Sequence, residues 1–166
     1  WRVLDTVMLA KSGDPLLDPQ AVALLRDSLL PEVSLITPNL PEAAALLGCR
    51  EATSEKEMLN QANQLLSIGF QAVLIKGGHL RGEESPDWLV SQGIEQRFTT
   101  PRIDTRNTHG TGCSLSAALA ALRPRYPDWP ATVSAAKQWL SGAIAAADSL
   151  QVGQGNGPVH HFYRWW

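Results

Sequence analysis

The sequence holds 166 residues, room for one domain with a real core and little more. Apolar residues make up 44% and charged residues 18%, which excludes a disordered charged tail. Fourteen Lys and Arg against sixteen Asp and Glu leave a net charge of -2, so no sequence-wide electrostatics argues for nucleic acid or an anionic membrane as partner. Two cysteines, Cys49 and Cys113, make no disulfide framework and favour a reducing, cytoplasmic setting. No apolar run approaches the ~20 residues of a membrane helix, and the N-terminus lacks the basic-then-apolar pattern of a signal peptide.

The chain opens on Trp1 and runs at once into Val3-Leu4-Asp5, which reads as the inside of a strand. Residues 33–36 and 72–75 are two further short apolar runs without alternation, as expected of parallel strands buried on both faces. Between them lie helical patterns. Pro19 starts one, with Ala21, Val22, Leu24, Leu25 and Leu29 as its apolar face. Pro41 sits in the first turn of a second that ends near Gly48. Ser54 and Glu57 have capping-box spacing and open a third, running to about Ile68 and closed by Gly69. Residues 88–91 and 95–98 flank Gln92-Gly93 and predict a β-hairpin. Residues 112–122 and 131–150 predict the last two helices, the latter with Val133, Trp139, Leu140 and Ile144 available for burial. This order implies an α/β layered fold around a mainly parallel sheet, with the hairpin at an edge.

In such sheets ligands gather beyond the carboxyl ends of the strands. Residues 5–14, 37–42 and 76–79 are polar clusters at those places, and a fourth, residues 107–113, leads into a helix. In the fourth, Asn107-Thr108-His109-Gly110-Thr111-Gly112-Cys113, two glycines allow a tight turn and a close backbone approach. The helix that follows aims free N–H groups at that spot, where an anion, phosphate above all, is the natural guest. Cys113 falls in the first helical turn, where a thiol pKa near ~8.5 is drawn toward neutrality, so a thiolate there can serve as general base or nucleophile. The plain alternative is a small buried residue at a tight turn.

Lys76-Gly77-Gly78-His79 puts a positive charge at a strand end with two glycines giving room for a nucleotide. A solvated lysine before an ordinary turn is the alternative. Asn39 and Glu42 offer an amide and a carboxylate that suit Mg²⁺, directly or through water. Taken alone they read more simply as an N-cap and the residue completing its capping box. Asp5 and Asp14 are further acidic candidates. His79 and His109 belong to these loops, whereas His160 and His161 have no third ligand at metal spacing and read as structural. Cys49, past a helix end, reads as incidental, and the Trp165-Trp166 end as a packed or frayed tail.

Taken together, Thr37-Pro38-Asn39-Leu40-Pro41-Glu42-Ala43, Lys76-Gly77-Gly78-His79 and the 107–113 motif closely resemble the hydroxymethylpyrimidine/phosphomethylpyrimidine kinases of thiamine biosynthesis, members of the ribokinase-like superfamily. Residues 5–14 (DTVMLAKSGD) and 157–162 (GPVHHF) resemble the same family. The resemblance implies a three-layer α/β sandwich that transfers the γ-phosphoryl of ATP, with Mg²⁺, first to the hydroxymethyl oxygen of a small pyrimidine and then to the phosphate so formed. It implies Cys113 as catalytic base, where many relatives carry aspartate, and Gly110, Thr111 and Gly112 with Cys113 as an anion hole. Lys76, Gly77, Gly78, Asn39 and Thr108 would serve the nucleotide, and Glu42 with Asp5 the metal. Thr6 stands where the family usually has proline. The family commonly forms homodimers. Its N-terminal strands and their Gly-rich segment have no counterpart here, so the resemblance implies a single but incomplete kinase domain over 1–166, the C-terminal part of a longer chain that on its own lacks much of the pyrimidine pocket.

Three other readings stand beside this one. A pyridoxal-type kinase shares the fold and differs in the acceptor. A non-catalytic nucleotide-binding remnant would keep the phosphate side alone. A thiol hydrolase would need an imidazole beside Cys113, which only His109 could supply in space.

Overall fold

The computed structural model describes residues 1–8, 16–29 and 32–166. The chain divides into two compact units, Trp1–Thr99 and Thr100–Trp166.

The first unit is built on strands β1 (Val3–Leu4), β2 (Leu35–Ile36), β3 (Ala72–Lys76), β4 (Glu84–Ser91) and β5 (Ile94–Pro101), in the order β1-β2-β3-β4-β5. β1, β2 and β3 are parallel, with Val3 opposite Leu35 and Ile36 opposite Val73, while β4 runs antiparallel to β3 with Lys76 opposite Asp87. The sheet is therefore mixed: three parallel strands extended by a hairpin whose outer strand is an edge. Gly93, at φ +75°, supplies the left-handed residue that its two-residue turn requires. The predicted second strand shortens to Leu35–Ile36, because Val33 and Ser34 only approach the sheet, the Ser34 N–H donating to the Arg2 carbonyl at 2.8 Å.

Three helices complete this unit: α1 (Pro19–Leu29), α2 (Leu40–Leu47) and α3 (Glu55–Ser67). Asn39 caps α2 and Gly48 ends it in the left-handed conformation at φ +65°. Ser54 caps α3, but its box is one-sided, since Glu57 turns back to accept from the N–H and hydroxyl of Thr53 at 2.8 Å each. The core joins Ile36, Val73, Ile75 and Val90 to Leu40, Ala43 and Leu46 of α2 and Met58, Ala62 and Leu65 of α3. On α1 the apolar face is narrower than expected. Val22 and Leu25 pack on the core, whereas Leu24 is 67% exposed and Leu29 is also at the surface. A residue at i+2 from Val22 points nearly to the opposite side of a helix, so both cannot face one core.

Outside the core, Arg97 of β5 pairs with Glu55 of α3 and Glu84 of β4, and the Trp88 indole N–H donates to Glu55. Arg97 holds both carboxyls below their ordinary range.

The second unit packs α4 (Thr111–Leu122) against α5 (Trp129–Ala145), with Leu115, Leu119, Val133, Ala136, Leu140 and Val159 buried. α5 stops five residues before the predicted end and passes into a short 3-10 turn, Ala147–Ser149. The reason is visible in the backbone: the Ala143 carbonyl accepts from the N–H of His160. Among the described residues, no helix is long and apolar enough to cross a membrane.

Candidate functional site

In the first unit, the ends of the three parallel strands carry the predicted polar groups side by side. β1 ends into Asp5 and Thr6, β2 into Thr37, Pro38 and Asn39, and β3 at Lys76 into Gly77 and Gly78. The Lys76 N–H donates to the Pro38 carbonyl at 2.8 Å, and Asn39 bridges Lys76 in parallel register. The Asn39 side chain accepts from the Glu42 N–H, and Glu42 Oε2 accepts from the Asn39 N–H, both at 2.8 Å. The same Glu42 oxygen accepts from the Thr6 hydroxyl at 3.0 Å. Glu42 is only 5% exposed and Thr6 fully buried. A carboxylate so far from water needs such donors, and these tie the end of β1 to the start of α2. Thr6 thus shares with the Asn39 N–H the task of holding the Glu42 carboxylate.

Gly77 and Gly78 behave differently. A Cβ on Gly77 would collide with the Pro86 carbonyl, and the Gly77 N–H donates to that oxygen at 2.8 Å and to Asp87 Oδ1 at 3.1 Å. The space that Gly77 opens is therefore filled by β4. Gly78 is exposed, with Ser85 Oγ 3.9 Å from where its Cβ would lie.

The predicted 107–113 turn lies in the second unit. Gly110 is the N-cap of α4 at φ +80°, a conformation glycine adopts without strain, and no side chain caps the helix. Thr111 closes the turn from within, its hydroxyl donating to the Thr108 carbonyl at 2.7 Å. Cys113 is exposed in the first turn of α4. The result is a helix N-terminus whose amides are not taken up by a capping side chain, the arrangement that receives anions.

The C-terminal segment runs beside this turn. His109 and Pro158 form a parallel bridge, with the His109 N–H donating to the Gly157 carbonyl at 3.0 Å. Asn107 accepts from the Gly157 N–H at 2.8 Å and donates to Asp148 at 2.9 Å, and Thr105 donates to the same carboxylate. A Cβ on Gly157 would collide with the Asn107 amide, which accounts for glycine there. His161 Nε2 lies 2.7 Å from Ser114 Oγ. Sequence reasoning missed Asp87, Asp148, the hydrogen bond from Thr6 to Glu42 and the Ser114–His161 pair. Only the order of the motifs, not any local pattern, could have pointed to them. Asp14 lies outside the described residues.

The residues present fit Mg²⁺ of one kind only. Among the described residues, no three His, Cys, Asp or Glu side chains are grouped to hold a metal ion. Glu42 has one carboxylate oxygen occupied and the other without a hydrogen bond among the described residues, and Asp5 is half-buried one residue before Thr6. Such a set suits a cation that keeps waters and shares phosphates, and does not suit an all-protein cage.

The mixed α/β sheet, with its polar groups at the ends of the parallel strands, places the chain among proteins of ribokinase-like fold. The phosphomethylpyrimidine kinase family profile matches residues 1–160, and the chain belongs to that family. It is 69% identical over 164 residues to the hydroxymethylpyrimidine/phosphomethylpyrimidine kinase of Escherichia coli K12, covering 99% of this chain and 62% of the relative. The chain thus spans about three-fifths of the length of that relative. Among solved structures, a Bacillus subtilis pyridoxal kinase in an ADP complex superposes with a TM-score of 0.87 at 33% identity, covering 98% of this chain and 60% of that one. The phosphomethylpyrimidine kinase of Clostridium difficile 630 superposes with a TM-score of 0.71, also at 33% identity, over 86% of this chain and 56% of that one.

Proposed function

We propose that the polypeptide carrying this segment transfers the γ-phosphoryl of ATP to hydroxymethylpyrimidine, and then to the monophosphate so made, in thiamine biosynthesis. The observation that carries the reading is the α4 turn: a left-handed Gly110, no side-chain cap, and an exposed Cys113 in the first turn. Phosphoryl transfer asks for positioning and charge neutralisation more than for covalent chemistry. The backbone of Gly110, Thr111, Gly112 and Cys113 meets the negative charge of the transferring group. The Cys113 thiolate takes the proton of the attacking hydroxyl as its oxygen bonds to the γ-phosphorus and the bond from that phosphorus to ADP breaks. Lys76 neutralises phosphate charge from the end of β3, Gly78 leaves room beside it, and Thr108 lines the nucleotide side of the turn. Asn39 fixes Glu42, and Glu42 with Asp5 would hold Mg²⁺, which would neutralise phosphate charge. The same reading makes the whole protein a cytoplasmic homodimer acting on a small molecule.

A pyridoxal-type acceptor is the second reading, favoured by the closer superposition on the Bacillus subtilis kinase. The 69% identity to a pyrimidine kinase favours the first. Joining the preceding segment of the Escherichia coli relative to this chain gives an enzyme that can be offered both acceptors. Phosphorylation of hydroxymethylpyrimidine in preference to pyridoxal is the expected result, and the reverse preference overturns the acceptor. Nucleotide binding with no transfer to either would leave a non-catalytic binding module. The 166-residue chain alone is expected to bind ATP without turning over.

A further inference from the structure

We propose that His161, acting through Ser114, is a positioning residue for the first turn of α4, and that the 157–161 segment is the brace holding that turn in its anion-receiving shape. The inference rests on the reading of the turn as a phosphate site, and adds to it a part of the chain that this reading leaves unused.

Three observations carry it. First, α4 begins without a side-chain cap, its opening turn being tied locally by the Thr111 hydroxyl and by the Ser114 N–H, which donates to the Gly110 carbonyl at 2.8 Å. A first turn without a capping side chain lacks the hydrogen bond that such a side chain gives to one of its free N–H groups. Second, the support comes instead from the tail. Gly157, Val159 and His161 engage Asn107, His109 and Ser114 in turn, on both sides of the glycine. Ser114 is the residue after Cys113, and its hydroxyl is spent on the imidazole. The neighbouring Ser116 hydroxyl bonds its own helix, at the Gly112 carbonyl. Third, the tail is itself anchored. The His160 N–H donates to the Ala143 carbonyl at 2.9 Å, and a Cβ on Gly142 of α5 would collide with the Tyr163 ring. The exposed His161 ring also lies 6.2 Å from that of Trp139, tilted by 40°. The imidazole thus reaches Ser114 from a fixed base, and a fixed base is what lets one hydrogen bond hold a helix turn in place.

The test reads the Cys113 thiol, because its reactivity reports the field of the amides around it and needs no turnover. In a Cys49→Ser background, the rate of alkylation by iodoacetamide is followed from pH 6 to pH 9.5, alongside thermal melting. His161→Ala and Ser114→Ala are each expected to slow alkylation at pH 7 about three- to tenfold, the change produced by moving the thiol profile up by about half to one pH unit. The double variant should be no slower than either single variant, since both remove the same bond. His161→Gln, which keeps a hydrogen-bonding group near the position of Nε2, should recover most of the rate. Gly142→Ala, which displaces Tyr163 from the far side of the brace, should slow alkylation in the same direction. An unchanged pH profile in His161→Ala, with or without a lower melting temperature, would reduce the tail to packing and overturn the proposal. Additive effects of the two single substitutions would overturn it as well. Failure of Cys113 as kinase base would show instead as undiminished phosphoryl transfer by Cys113→Ala in the completed enzyme, a result separate from the alkylation rates of the His161 and Ser114 variants, which keep the thiol.

Discussion

Two helices of this protein begin at predicted ligand sites, and they begin in opposite ways. α2 opens on a closed circuit in which Asn39 and Glu42 satisfy one another and Thr6 adds a third hydrogen bond. α4 opens on a left-handed glycine with no side chain over its amides. A helix N-terminus that has met its own needs can present a side chain, here the remaining oxygen of Glu42. One that has not can present its backbone. The two helices therefore open differently: α2 on a buried carboxylate held by Asn39 and Thr6, and α4 on a positive helix end beside an exposed thiol.

The contrast can be broken most severely at Cys113. In the enzyme completed with the relative's N-terminal segment, Cys113→Ala should lower kcat by about two to four orders of magnitude with nucleotide binding retained. Steady-state rates with a parallel nucleotide titration check this, and a loss of binding instead of turnover would assign Cys113 to the anion site alone. Next in size is Thr6→Val, which keeps the volume but leaves the buried Glu42 carboxylate one donor short. Loss of a hydrogen bond to a buried charge predicts about 2 kcal/mol of destabilisation in a denaturant titration. Asn39→Ala removes the cap of α2 and should cost about 1 kcal/mol by the same method, the usual value of an N-cap. If nucleotide affinity fell with it in proportion to stability, Asn39 would act only through the fold.

The smallest effect concerns the surface network. Glu55 and Glu84 are depressed by Arg97, so they bind fewer protons folded than unfolded around their ordinary value of 4.5. Their contribution is present above pH 4.5 and is lost as the pH falls through the lower folded values. Solvent screening keeps it small. Arg97→Gln should flatten the melting temperature between pH 5 and pH 3 and leave it nearly unaltered at pH 7.

Local chemistry was legible in the sequence where it is local in fact. Asn39, Gly48, Ser54 and Gly93 mark helix ends and a turn through their own conformational preferences, and each stands where those preferences put it. The three parallel strands followed from apolar runs that do not alternate. What escaped was decided at a distance. The apolar face of α1 carried more leucine than one core can take. The end of α5 is set by His160, and the support of the α4 turn by residues 41 to 50 positions away, in Asp148, Gly157 and His161. Capping-box spacing at Asn39 and Glu42 was visible, yet the third donor, Thr6, lies 36 residues earlier on another strand. No periodicity announces such partners.

The central claim is that the amides opening α4, and not those opening α2, receive the phosphate of the nucleotide. A two-dimensional ¹H–¹⁵N NMR titration of the labelled chain with ADP and Mg²⁺ tests it residue by residue. The account predicts its largest shifts at the amides of Gly110, Gly112 and Cys113, with those of Asn39 and Glu42 held nearly still by their own hydrogen bonds. Shifts centred on Asn39 and Glu42, with the α4 turn unmoved, would contradict it.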